Sequence, residues 1–304
     1  MENYFIKLPN NLVWSYTEEE IALCNGKENN LLIPVLIYLD SHKNRLDKVV
    51  FTLEDLIVTC GMKPRTGKGN TIEQFKIILK EIQMFGWLEK EIDYDTIKPK
   101  ELIKTNFNII FKKDKDGNDT EFFMLYYKNF EKIIKDKNSD NLILLKVYCH
   151  IISRIHRNTE GYLESADKYM NYENVIVEYM TDTYKSIMNQ LGIPKNSNKL
   201  FRKYLDILEE LELIYSGTIG IIIDKEGYQH VASNVYVEIK SELDRALDCS
   251  ELYYKDKNYK ITGKMVSDLQ KEIKGLKGKS KQLSNKGKDN TKIENKIKKK
   301  EGVK

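Results

Sequence analysis

Residues 194–214 read PKNSNKLFRKYLDILEELELI. The segment opens on a proline and short polar residues. Its first turns carry Lys195, Lys199, Arg202 and Lys203, with no acidic residue before Asp206. Apolar side chains recur at Phe201, Tyr204, Leu205, Leu208 and Leu211. Steps of three and four residues line these up as one stripe on a helix. Such a helix docks by one face and holds a basic end outward, as a major-groove recognition helix must. A plain solvated amphipathic helix has the same pattern, so the segment alone does not separate the two.

A second copy tips the balance. TIEQFKIILKEIQMFGWL, residues 71–88, repeats the pattern 126 positions earlier. Phe75 falls on Phe201, Ile78 on Tyr204, Leu79 on Leu205, Ile82 on Leu208, Phe85 on Leu211 and Leu88 on Ile214. Each helix is entered through a breaker-rich turn, Gly61–Asn70 (GMKPRTGKGN) or Gly192–Asn198 (GIPKNSN). A short helix precedes each turn, over Leu53–Cys60 and Thr183–Leu191, and hairpin-like strands follow. Helix, turn, basic-ended helix and hairpin is the order of a winged helix-turn-helix. The spacing therefore predicts a helix-rich α+β chain with two tandem winged helix-turn-helix domains and a basic, largely disordered C-terminal tail. The expected division is an N-terminal arm (1–30), a first domain (31–128), a second (129–250) and the tail (251–304).

Composition fits that division. At 304 residues the length suits about two domains. With 41% hydrophobic residues the chain can bury real cores, and the mean hydropathy is −0.53. The net charge of +4 conceals an asymmetry: 17 lysines against six acidic residues put +11 on 255–304, leaving −7 on 1–254. A basic cluster on the acidic part stands out from its background. The tail, rich in Lys, Asn, Gly and Ser, adds salt-sensitive affinity for any polyanion or simply solubilises. Cys24, Cys60, Cys149 and Cys249 are scattered without metal spacing and read as reduced thiols of a cytoplasmic protein. MENYFIKLPNNLVW lacks a basic start followed by a long apolar run, and Leu31–Leu39 is too short to cross a bilayer, so neither a leader nor a membrane partner is expected.

Along the chain, Phe5, Ile6, Leu8, Leu12 and Trp14 equip the arm to pack on the first domain or on another subunit. The first wing is expected from Trp87–Tyr94 with Thr105–Phe111 and Glu121–Tyr127, turning at Asp116–Gly117. A strand is expected at Asn174–Tyr179. The second wing is expected from Ile214–Ile223 and Asn234–Lys240, turning through Asp224–Gly227, and a short helix at Met265–Leu276.

No catalytic constellation is legible. GMKPRTGKG looks like a phosphate-binding loop, but five residues separate Gly61 from Gly67, and Gly69 follows Lys68 in place of Ser or Thr. The loop suits a DNA backbone better, with Lys63, Arg65 and Lys68 on phosphates. His42, His150, His156 and His230 form no His-x-His or HExxH pair. No catalytic residue, metal or cofactor is therefore assigned, and the chain reads as a non-enzyme. The candidate DNA-binding residues are Lys195, Asn196, Ser197, Asn198, Lys199, Arg202 and Lys203 in the second domain. In the first they are Lys63, Arg65, Lys68, Asn70, Thr71, Gln74 and Lys76. Arginine, asparagine and glutamine can read base edges, whereas the lysines grip phosphate.

The opening FIKLPNNLV, residues 5–13, resembles the aromatic-x-x-Leu-Pro start of the RepA-type initiators of Gram-positive plasmids, whose N-terminal domain is similar to that of DnaD. As architecture the resemblance to tandem winged-helix plasmid replication initiators covers residues 4–240; as sequence it covers a few residues. It implies origin binding to double-stranded DNA, often as a homodimer, then strand opening and recruitment of host replication proteins. A transcription regulator fits the same residues, and a protein-interaction scaffold built from winged helices fits the acidic charge of 1–254.

Overall fold

The computed structural model describes residues 4–15, 22–25, 28–136, 140–156, 171–172, 175–194, 196–262 and short pieces between 276 and 294. The first half runs β1 (Phe5–Pro9), α1 (Leu32–His42), β2 (Lys48–Phe51), α2 (Leu53–Thr59), α3 (Thr71–Met84), β3 (Ile103–Asn106), β4 (Lys112–Lys113), β5 (Asp119–Thr120) and β6 (Phe122–Tyr126). The second runs α4 (Tyr127–Lys135), α5 (Asn141–Arg154), β7 (Asn171–Tyr172), β8 (Val175–Ile176), β9 (Met180–Asp182), α6 (Tyr184–Gln190), α7 (Asn198–Glu210), β10 (Tyr215–Gly217), β11 (Ile221–Ile223), β12 (Gln229–Val231), β13 (Asn234–Val237), α8 (Leu243–Asp256) and β14 (Lys260–Ile261). The chain is mixed α+β, with small antiparallel sheets set against helices.

The repeat read from the sequence recurs bond by bond. Thr52 Oγ1 accepts from the Asp55 N–H and Thr183 Oγ1 from the Ser186 N–H, each at 3.1 Å, so α2 and α6 start on the same cap. Both helices end the same way. Gly61 N–H donates to Val58 O and Met62 N–H to Ile57 O; Gly192 and Ile193 repeat this onto Asn189 and Met188. These turns need positive φ, 78° at Gly61 and 65° at Gly192, which glycine adopts without strain. The ends of α3 and α7 also match, with Gly86 bonded to Gln83 and Glu212 to Glu209. Here the repeat is imperfect: φ is 76° at Gly86 but 57° at Glu212, an L residue in the left-handed region. Glu212→Gly is therefore expected to stabilise the protein by about 0.5–1 kcal/mol, left-handed strain relieved less the added freedom of the unfolded chain. Urea denaturation of the two proteins measures it; an unchanged or lower midpoint would contradict the strain.

Strand pairing completes the likeness. β2 pairs antiparallel with β3, and Leu88 bridges Phe107 on the other side of that strand. In the second half β13 lies between β9 and β10. The returning strand of the second unit is thus flanked on both sides, whereas in the first the outer neighbour is reduced to the single Leu88–Phe107 bridge. α1 and α5 occupy equivalent places ahead of β2 and β9. Both are buried along most of their length, α5 from Leu144 to Ile152 without a break, as befits helices apolar nearly all round.

Three expectations need correction. Glu121–Tyr127 does not close the first wing, because β6 pairs with β1 of the arm, from Phe5↔Tyr126 to Pro9↔Phe122. That register turns Ile6, Leu8, Phe123 and Leu125 inward together, and a one-residue slip would expose all four. The loop 89–102 is left between Leu88 and β3. Second, the strand directly ahead of α6 is β9; of the described residues within 174–179, only Val175–Ile176 are strand, paired with β7. Third, the second unit does not stop at residue 250. α8 continues to Asp256, β14 pairs with β11, and Thr262 N–H donates to Ile221 O at 2.9 Å. The second hairpin turns through Asp224–Gly227 as expected, but β11 pairs there with β12, while Asn234–Val237 pairs with β10 in another sheet. The helix expected at Met265–Leu276 lies almost wholly outside the described residues.

One hydrophobic core runs from Ile6 to Tyr236 through both units. The arm stitches them together within the chain. Val13 O takes a hydrogen bond from His150 Nδ1 at 2.8 Å, and the Asn25 amide donates to Gln190 O at 2.9 Å. Buried Lys146 donates to Asn30 Oδ1 at 2.8 Å and to Leu191 O at 3.2 Å, and burial pushes its pKa down. Arm and α5 thereby hold the turn that leads into α7.

Candidate nucleic-acid interface

The turn between α6 and α7 is tight. Ile193 N–H donates to Met188 O at 2.8 Å and Ser197 N–H to Pro194 O at 2.9 Å. Phe201, fully buried against the Tyr184 ring at 5.2 Å, pins the helix that follows. Tyr204, Leu205, Ile207 and Leu208 continue the buried stripe, and Lys132 caps the far end by donating to Leu211 O at 3.1 Å. This fixes what faces water: Asn196, Asn198, Lys199, Leu200, Arg202 and Lys203 are exposed, and Ser197 is half-buried. No acidic residue lies in the first turn of α7. Among the described residues Lys199 and Arg202 have no acidic partner. Lys195 lies outside the described residues.

The first unit is built differently at the same place. Its longer turn folds back on α3: Ile72 N–H donates to Arg65 O at 3.2 Å, and Gly69 N–H to the Glu73 carboxylate. The Asn70 amide is engaged by Thr66 O at 2.6 Å and the Gln74 amide by Gly69 O at 2.9 Å. Lys76 donates to Asp95 O at 2.9 Å, and Lys80 pairs with the Asp95 carboxylate. Thr71 is buried, at 8% exposure, and is the least accessible of the contact residues expected in this unit. Lys63, Arg65 and Lys68 stay exposed on the turn, without acidic partners among the described residues.

Position for position, α3 carries Glu73 where α7 has Lys199, Ile77 where it has Lys203, and Met84 where it has Glu210. Ile77 is 49% and Met84 75% exposed. The two helices share a packing stripe but differ in the outer face of their first turns: α7 carries Lys199, Arg202 and Lys203, whereas α3 sets Glu73 and Ile77 beside Lys76, whose ammonium is held by Asp95 O. The apolar face of α3 was not singled out from sequence, although Ile77 and Met84 fall outside the buried stripe.

Elsewhere the chemistry is quiet. All four cysteines are free and buried, and burial drives the thiols up, to about 12 at Cys24 and about 11 at Cys249. Among the described residues no group of three or more His, Cys, Asp or Glu side chains could hold a metal ion. Nor is any described helix long and apolar enough to cross a membrane. Comparison with protein-family models, curated proteins and solved structures finds no match for this chain.

Proposed function

We propose that this chain is a double-stranded DNA-binding protein made of two winged helix-turn-helix units, with α7 as the helix that enters the major groove. The observation that carries the reading is the outer face of α7, where Lys199, Arg202 and Lys203 stand exposed with Asn196 and Asn198. Arg202 and Asn198 are suited to base edges, and the lysines to phosphates on either side. The turn bearing Lys63, Arg65 and Lys68 supplies sequence-independent grip from the first unit.

The biological role proposed is initiation of replication of a plasmid or other mobile element in the cytoplasm, with recruitment of host replication proteins. The tandem arrangement and the FIKLPNNLV start support it, and four buried free thiols suit a reducing compartment. Transcription regulation uses the same contacts. A scaffold role is favoured by the acidic charge of 1–254 and by the exposed Ile77 and Met84 of α3. That face suits protein better than phosphate, so DNA reading is assigned to the second unit.

Titrating the full chain and a chain ending at Thr262 against random-sequence duplex, between about 50 and 200 mM salt, tests the reading. Salt-dependent binding that survives truncation is expected; binding confined to the full chain would assign it to the tail. On a duplex enriched from a random pool, Arg202→Ala is expected to cost about 1–3 kcal/mol and to narrow the preference over a scrambled duplex. An unchanged preference would rule out base reading by Arg202.

A further inference from the structure

The arm, the end of α1 and the chain from 108 to 126 build a second surface far along the sequence from α7. On the outward face of the β1–β6 ribbon Phe5 lies opposite Tyr126, and Lys7 opposite Met124. Phe5, Met124 and Tyr126 are exposed, each between 37% and 46%. The rings fall into two pairs: Phe5 with Tyr126, centroids 6.0 Å apart, and Phe111 with Phe122, 5.9 Å apart. Tyr126 and Phe122 are four residues apart on β6, so the pairs are separated by roughly 13–14 Å along the ribbon. Between them opens a cleft of about 210 Å3 lined by Phe5, Lys7, Asp40, Lys43, Asn108 and Phe111, with Ile109. That is less than the roughly 300–1,000 Å3 of small-molecule sites, and matches one flat ring. Ammonium groups lie over one ring of each pair, Lys7 Nζ at 4.5 Å from the Phe122 centroid and Lys128 Nζ at 5.7 Å from that of Tyr126.

We infer that this face is a stacking platform for an extended single strand of nucleic acid, one base entering the cleft and its neighbours lying on the two ring pairs. Side chains on one face of a strand repeat about every 6.8 Å, twice the 3.4 Å rise per nucleotide of a duplex strand. That spacing fits unstacked bases and does not fit a double helix. The Asn108 amide gives the cleft a donor and an acceptor for a base edge, and Lys128, without an acidic partner among the described residues, is placed for phosphate. Lys7 and Lys43 are already matched by Asp119 at 3.4 Å and Asp40 at 2.7 Å, so the rings and not the net field supply the affinity. A peptide would use the same apolar bulk without needing π faces, and this difference is what the test exploits.

The test is a titration of the full chain with a short fluorescent oligothymidylate and with blunt random duplex, for the parent and for Phe5→Leu/Tyr126→Leu. Leucine keeps the apolar bulk and removes the π face. A loss of about 10-fold or more for the oligothymidylate, with duplex affinity unchanged, is expected from losing the base stacked on this ring pair. Unchanged oligothymidylate affinity, or an equal fall for both ligands, overturns the platform. Photo-crosslinking of a 4-thiothymidine strand to the parent chain needs no variant. Crosslinks within 4–9 or 108–128 are expected, and crosslinks confined to 263–304 overturn the inference. Loss of duplex binding in α7 variants leaves these outcomes untouched.

Discussion

Reversing two charges on α7, with Lys199→Glu and Arg202→Glu in one chain, is expected to lower affinity for duplex DNA by on the order of 100-fold or more. Both side chains are exposed, and neither has an acidic partner among the described residues, so the substitutions break no ion pair there. The helix is held from behind by Phe201, Tyr204, Leu205 and Leu208, which the variant keeps. The slope of log affinity against log salt should fall by roughly one for each phosphate that is no longer neutralised. Substituting Lys63, Arg65 and Lys68 by alanine should flatten the slope in the same way but weaken all sequences alike. If the double reversal leaves duplex affinity within a factor of two or so, where an exposed, uninvolved charge would put it, α7 is not the reading helix.

The second large effect is an acid limb of stability set by His150. This side chain is fully buried on α5, and its Nδ1 bonds to Val13 O at 2.8 Å. Burial, with the Arg154 charge nearby, lowers its pKa from 6.5 to about 4, against the smaller opposing effect of the Val13 bond. Above pH 6.5 the ring is neutral folded or unfolded and contributes no pH dependence. As pH falls from 6.5 toward 4 the unfolded chain takes up the proton and the folded chain does not, so stability is lost. The loss levels off once the folded ring is also protonated. A shift of this size corresponds to about 3 kcal/mol between pH 7 and pH 4. His150→Asn keeps a donor for Val13 O and removes the titration. Urea midpoints across that range should therefore fall further for the parent than for the variant. Parallel curves would mean His150 is not buried neutral.

What the sequence makes legible is local. The α2–α3 and α6–α7 pairs could be read because their apolar steps, threonine caps and glycine stops all lie within a few residues of one another. Strand partners could not be read so well, since pairing is settled by residues far away. FFMLY alternates equally well beside β3 or β1, and only the assembled core selects Phe5–Pro9, more than a hundred positions back. The conformation of the first unit's turn was hidden for a related reason. Nothing in GMKPRTGKGN announces that it folds back onto α3 and engages Asn70 and Gln74 with its own carbonyls. In the second unit the turn is shorter, and the exposed face of α7 follows from its apolar spacing.

That α7 presents its basic first turns to a duplex can be tested directly on the full chain by mass-spectrometric mapping of lysine acetylation with and without random duplex DNA. The expected result is protection of Lys199 and Lys203 by the duplex, weaker protection of Lys63 and Lys68, and none at Lys98 or Lys100 on the loop after α3. Acetylation of Lys199 and Lys203 at the same rate with and without bound duplex, with protection confined to the lysines beyond Thr262, would contradict it.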